Sequence, residues 1–156
     1  MKLNPAFGSN RCDFNPTMRN NTISFCEKIK NVILSTNDFR EFNISNLSTG
    51  DFLYIDPPYL IAKADYNLGK SAKLSWTQTD DNDLYNYLDK ASSLGIKWGM
   101  SNFIKHKGEV NEGLENWVIK NNYNIYNINS DYSKLTTKAN RSPEPTIEII
   151  ITNYNI

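Results

Sequence analysis

Apolar residues in this chain come in short runs separated by polar stretches rich in Asn and Lys. Residues 1–20 show no period and contain Pro5, Gly8 and Pro16, which predicts an extended or looped segment. Ile23, Cys26 and Ile29 recur at helical spacing, predicting a short helix over 21–30. Val32-Ile33-Leu34 reads as a short buried strand that ends at Asn37-Asp38-Phe39. The turn residues Ser48-Thr49-Gly50 then introduce a strand over 52–55. Residues 60–75 are polar and aperiodic and predict a mobile loop.

After Trp76, Thr77 is placed to cap a helix, with Asp80 three residues on in place of the usual Glu of a capping box. Leu84, Leu88 and Ala91 form the apolar stripe of that helix, and Gly95 stops it. A strand over 96–100 follows and ends at Ser101-Asn102. Val110, Leu114, Trp117 and Val118 mark another helix. Residues 123–128 alternate as a strand, and 148–152 form a final apolar strand. The polar loop between these two strands carries Lys134, Lys138, Arg141, Pro143 and Pro145. Strands alternating with helices predict an α/β sheet with crossover helices, and the last two strands, joined without a helix, suit an antiparallel pair.

Composition sets the bounds. A chain of 156 residues is one domain with a real core, and Lys+Arg and Asp+Glu both number 17. With no global basic field, attraction to a nucleic acid has to come from a local patch. Abundant Asn, Lys, Ile and Tyr with little Arg suggest an AT-rich genome. Cys12 and Cys26 have neither CxxC spacing nor a neighbouring histidine, and read as free thiols. No signal peptide or membrane-length apolar run is visible, so the expectation is a cytoplasmic protein with no membrane partner.

Ligands of open α/β sheets sit at the carboxyl ends of strands. Three polar groups fall there: Asn37-Asp38, Asp56 and Ser101-Asn102. Asn and Asp also favour ordinary turns, and that reading stays open for the two Asn-containing sites. Asp56-Pro57-Pro58-Tyr59 asks for more than a turn. The prolines end the strand and restrain the residues before them, leaving Asp56 and the Pro57 carbonyl as fixed acceptors beside an aromatic ring. Such an arrangement suits a planar amine, such as the exocyclic NH2 of adenine. His106, the only histidine, reads as a surface residue in a Lys-rich loop. No nucleophile–His–acid set and no metal-ligand cluster stands out, so no metal is expected.

With these residues in view, the chain resembles the Dam-type, alpha-class DNA adenine-N6 methyltransferases. The resemblance rests on Asp56-Pro57-Pro58-Tyr59 together with Phe7-Gly8, Asn37-Asp38-Phe39, Trp76-Thr77, Ser101-Asn102-Phe103 and the stretch from Glu148 to Tyr154, in the family's order and approximate spacing. It implies methyl transfer from S-adenosylmethionine to the N6 amino group of an adenine flipped out of double-stranded DNA. Asp56, Pro57, Pro58 and Tyr59 would be the catalytic motif. Asp56 and the Pro57 carbonyl would accept the N6 hydrogens, while Tyr59 stacks on the base. Asp38 and Phe39 would contact the cofactor adenine, and Asp56 would lie near the cofactor's amino acid end. Tyr66, Ser101, Asn102, Lys134, Lys138 and Arg141 are the candidate DNA contacts, with Tyr66 closing over the base and the cations touching phosphates, or lying in a solvated loop.

The front of the family pattern is absent. No Gly-x-Gly occurs among the seven glycines, and the acid-bearing second strand and the target-recognition insertion are missing. The expectation is a partial Rossmann-like α/β methyltransferase fold: a mixed sheet with an antiparallel C-terminal pair over 21–156, and residues 1–20 as a remnant of the recognition insertion. Met1 would be a late or engineered start. In the family's sheet order, the strand ending at Asn37-Asp38 lies roughly 14 Å from the 52–55 strand, with two absent strands between them. The exposed edges imply a complementing N-terminal half or self-association. A bacterial, phage or mobile-element origin follows from the family. An inactive remnant that binds DNA or a partner is the alternative, and methylation of RNA or of a protein glutamine is a third reading.

Overall fold

A computed structural model describes residues 14–62, 76–128 and 146–156. The chain forms two compact units, residues 1–38 and 39–156. In the first unit, helix α1 runs Pro16–Lys28. It begins five residues before the expected start, so residues 16–20 are helical rather than extended. Asn15 and Pro16 are the reason: the Asn15 side chain accepts from the Met18 N–H at 2.9 Å, and proline fits the first helical position. The Val32-Ile33-Leu34 strand does not form. These residues have no ladder partner among the described residues, and Ile33 is 95% exposed. An apolar run becomes a strand only when another strand meets its backbone and another surface covers its side chains.

The second unit is built on one mixed sheet. Its strands are β1 (Phe52–Ile55), β2 (Lys97–His106), β3 (Glu109–Val110), β4 (Asn124–Ile128) and β5 (Ile147–Thr152), with helices α2 (Gln78–Ser93) and α3 (Glu112–Asn121) as connections. The order is β1-β2-β5-β4, with β3 forming a hairpin on β2. β1 and β2 are parallel, whereas β5 is antiparallel to both β2 and β4. The antiparallel C-terminal pair is therefore present. β2 is twice as long as expected: it continues past Ser101-Asn102 to His106, so those two residues lie inside a strand rather than at its end. Expected to form part of a helix, Val110 belongs instead to β3.

The capping box of α2 forms as the sequence predicts. Thr77 Oγ1 accepts from the Asp80 N–H at 3.4 Å, and Asp80 Oδ2 accepts from the Thr77 N–H at 2.8 Å. Gly95 ends the helix with a φ of 72°. Leu84, Leu88 and Ala91 of α2 and Leu114, Trp117 and Val118 of α3 pack on Trp98, Met100, Ile149 and Ile151. Trp98 and Met100 alternate on β2, and Ile149 and Ile151 on β5, so both helices cover the same face. Asp89 ties this core at its rim, accepting from Trp117 Nε1 at 3.0 Å and Tyr123 Oη at 2.8 Å. Burial leads the causes that push the Tyr123 phenol up to about 12. Cys26 is a free, exposed thiol; Cys12 lies outside the described residues. No helix among the described residues is long and apolar enough to cross a membrane.

Candidate active site

β1 stops where the prolines begin. Its last pair is Ile55 with Met100, and Asp56 is the next residue. β2 runs on beside it, so Ser101 lies one step beyond the end of β1 and directly under Asp56. Ser101 is 4% exposed, and its Oγ donates to Asp56 Oδ1 at 2.8 Å. Tyr59 Oη donates to the same oxygen at 3.1 Å. Among the described residues, both hydrogen bonds to this carboxylate fall on Oδ1, which leaves Oδ2 directed elsewhere. Burial, reinforced by the nearby Asp56 carboxylate, pushes the Tyr59 phenol far above its ordinary value, so it stays protonated and can donate. Pro57 is buried and Pro58 exposed, which holds the motif against the sheet while Asp56 faces out.

The Tyr59 ring is fixed from its side. It meets Phe103 edge-on at 4.5 Å and 61°, and Phe103 stacks on His106 at 5.2 Å and 12°. His106 is therefore a half-buried member of a ring row rather than a free surface residue. Burial and Lys107 both lower its pKa, against the opposing pull of Glu109.

Ser101 and Asn102, expected to face DNA, are instead buried, because β2 continues beyond them alongside β5. Asn102 is fully buried; its Oδ1 accepts from the Phe103 N–H at 2.8 Å, and its Nδ2 has no partner. Asp38 is exposed and ends the first unit; Phe39 begins the second. The Phe39 ring sits among Tyr87 at 5.8 Å, Trp76 at 6.1 Å and the Arg40 guanidinium at 4.6 Å. Arg40 is held in turn by Asp80 at 2.7 Å and Asp83 at 2.8 Å. Asp81 is buried and accepts from Trp76 Nε1 at 2.6 Å and Tyr85 Oη at 3.1 Å, its own pKa raised by burial. Tyr66, Lys134, Lys138, Arg141 and Phe7-Gly8 lie outside the described residues. Among the described residues, no group of His, Cys, Asp or Glu could hold a metal ion.

The structure thus brings Asp56, Tyr59 and Ser101 together and places Phe39 in a separate cluster. Sequence reasoning missed the roles of Arg40, Phe103 and His106. The period-2 spacing of Ser101 and Phe103 along an unexpectedly long strand was the available signal.

The geometry can hold a planar amine. Oδ2 of Asp56 is an acceptor on a carboxylate held through Oδ1, with Tyr59 beside it. The sequence has no Gly-rich turn for a charged amino acid end.

Comparison with known proteins gives the same direction. The family model for D12 class N6 adenine-specific DNA methyltransferase matches residues 2–142. The modification methylase StsI of Streptococcus sanguinis is 36% identical over 156 residues, which cover 99% of this chain and 24% of that protein. The type II methyltransferase M.FokI of Planomicrobium okeanokoites is 35% identical over 98% of this chain and 23% of its own length. The modification methylase LlaI of Lactococcus lactis subsp. lactis is 29% identical, again over 23% of its length. The chain spans about a quarter of the length of these curated relatives. It belongs to the D12 class of N6 adenine-specific DNA methyltransferases.

Proposed function

We propose that this chain carries the adenine-binding half of a DNA adenine-N6 methyltransferase site and acts with a further segment that completes the cofactor cradle. The observation that carries this reading is the double hydrogen bond on Asp56 Oδ1. Ser101 and Tyr59 fix the carboxylate from behind, leaving Oδ2 to accept an N6 hydrogen while the Pro57 carbonyl accepts the other. Two acceptors on the amino group draw its lone pair out of conjugation with the ring and make the nitrogen nucleophilic. S-adenosylmethionine, when bound, supplies an electrophilic methyl group on sulfur. Asp56 Oδ2 is placed to take the proton that the N6 amino group would shed on methylation. Catalysis is positioning and electrostatics.

The sheet supports a Rossmann-like completion. β1 is an edge strand whose parallel partner lies on one side, among the described residues. Further parallel strands added to its other edge would extend the sheet and bring a Gly-rich turn beside Asp56. Phe52 and Tyr54 are 52% and 65% exposed on β1, giving that segment apolar surface to cover. The substrate is double-stranded DNA, with the adenine turned out of the stack.

The test is to mix the purified chain with an N-terminal methyltransferase portion and measure tritiated methyl transfer to adenine-unmethylated DNA. Transfer that disappears in Asp56→Ala supports the reading. No transfer with any complement, together with salt-dependent DNA association, supports a binding module instead.

A further inference from the structure

The pairing of β2 with β5 has one irregularity, and it lies beside the Asp56 crevice. Asn102 pairs with Ile149 and Phe103 with Glu148, but pairing resumes with Lys105 opposite Ile147. Ile104 is the extra residue. In an unbroken strand, Lys105 would follow Ser101 and Phe103 on their face. A bulge shifts the alternation by one and re-aims the side chains that follow. His106 takes the place instead, and its stacking on Phe103 at 5.2 Å and 12° is the result.

His106 is anchored behind. Its Nδ1 lies 3.0 Å from Thr146 Oγ1, and it pairs across the hairpin with Glu109. Lys107 and Gly108 close that hairpin with φ values of 50° and 87°. A two-residue loop with both residues left-handed matches strand twist and makes a stiff hairpin. Three rings, His106, Phe103 and Tyr59, therefore run from a rigid hairpin to the Asp-Pro-Pro-Tyr motif.

We propose that Phe103 and His106 are positioning residues for Tyr59: the bulge at Ile104 seats the His106 ring behind Phe103, and together they set the angle at which Tyr59 meets the flipped adenine. This rests on the methyltransferase reading. The Tyr59 hydroxyl is tied to Asp56, but one hydrogen bond leaves the ring free to rotate about it. Contact with Phe103 removes that freedom, and His106 keeps Phe103 from giving way. The arrangement uses the imidazole as a flat ring, not as a proton carrier.

The complemented enzyme tests this, with tritiated methyl transfer to adenine-unmethylated DNA measured as initial rates over DNA and cofactor concentration. His106→Ala and Phe103→Leu are expected to lower kcat on the order of tenfold with the cofactor KM unchanged, and His106→Phe to restore it. In parallel, the chain alone is labelled with 13C in its tyrosine rings, and the Tyr59 resonance is assigned through Tyr59→Phe. That resonance should move in His106→Ala and return in His106→Phe. Wild-type kcat in His106→Ala overturns the proposal. So does equal loss in His106→Phe, which would assign the role to the imidazole N–H. If the wild-type complemented enzyme transfers no methyl group, the methyltransferase reading fails and takes the adenine role with it. An unmoved Tyr59 resonance would in addition remove the ring coupling itself.

Discussion

The two faces of the sheet in residues 39–156 are built differently. On the helix side, Trp98, Met100, Ile149 and Ile151 are fully buried under α2 and α3. On the other side, Phe52 and Tyr54 remain largely exposed, and Ser101, Phe103 and His106 line up toward Asp56 and Tyr59. The pleat separates the two, because adjacent residues of one strand point to opposite faces. Stability is concentrated on the face this chain completes by itself. The proposed adenine site lies on the opposite face, where Phe52 and Tyr54 stay exposed. Gly99 fits that division: a Cβ there would meet the Phe52 ring at 3.3 Å, so the absence of a side chain lets Phe52 lie across β2 and reach the edge of Tyr154.

The sharpest way to break the comparison is to mutate one residue from each face. Trp98→Ala on the helix side should cost about 3–5 kcal/mol and leave the chain largely unfolded, since the cavity sits in a stacked aromatic core. Asp56→Ala on the other side should cost about 1–3 kcal/mol, for the Ser101 and Tyr59 hydroxyls it leaves without their acceptor, and keep the chain folded, while reducing methyl transfer in the complemented enzyme by on the order of 10³-fold. Thermal melts followed by circular dichroism, beside tritium incorporation, read both. If Asp56→Ala melts the chain, function and stability are not divided by face.

A smaller effect is expected on the exposed rings. Replacing Phe52 and Tyr54 together by Ser should lower the stability of the isolated chain by about 1 kcal/mol or less, because both rings are already half in water. The same pair should weaken association with an N-terminal portion by about 2 kcal/mol, roughly thirtyfold in Kd, if those rings become covered. Titration calorimetry against that portion measures the difference. Equal affinity for both forms would place the partner's contact elsewhere.

Ser101 comes next. Ser101→Ala removes the 2.8 Å donor from Asp56 Oδ1 and leaves Tyr59 as its one remaining donor among the described residues. A lost hydrogen bond to a charged group is worth about 1.5–3 kcal/mol, so kcat should fall about tenfold or more. KM for DNA should hold, because Ser101 is buried beneath Asp56. Ser101→Thr, which keeps the hydroxyl, should recover most of the rate.

Much of this was legible in the sequence, and the physical reasons for the rest are specific. Thr77 and Asp80 announced the start of α2 because capping is a local interaction within one turn. The Asp-Pro-Pro-Tyr segment was legible because prolines and a carboxylate at a strand end constrain each other at short range. Val32-Ile33-Leu34 misled because a strand depends on a partner that no local pattern reveals. The bulge at Ile104 was invisible for the same reason: it exists only in the pairing with β5. Asn102 looked like a surface amide because β2 looked like a strand that ended there. Its burial follows from β5 lying alongside, a contact that joins residues nearly fifty positions apart.

The smallest expected effect concerns two neighbouring carboxylates at the start of α2 whose pKa values shift in opposite directions. Asp80 is held at about 2 by hydrogen bonds from Thr77 and Arg40. Its folded pKa is depressed, so its contribution is fully present above the unfolded value near 4 and disappears as pH falls through about 2. Asp81 is raised, chiefly by burial, so ionising it weakens the fold as pH climbs past its unfolded value. Asp80→Asn should therefore cost about 0.5 kcal/mol at neutral pH and progressively less as pH falls toward 2, since the pair with Arg40 is partly solvated. Asp81→Asn should cost little at neutral pH. An amide can still accept from Trp76 Nε1 through its oxygen and donate to Tyr85 Oη through its nitrogen, so both partners stay bonded. Urea melts of the two variants between pH 2 and 7 should give curves whose differences from wild type run in opposite senses. Parallel curves would mean that the capping carboxylate and the buried one act as a single unit, and that the helix start is held by the pair rather than by Asp80 alone.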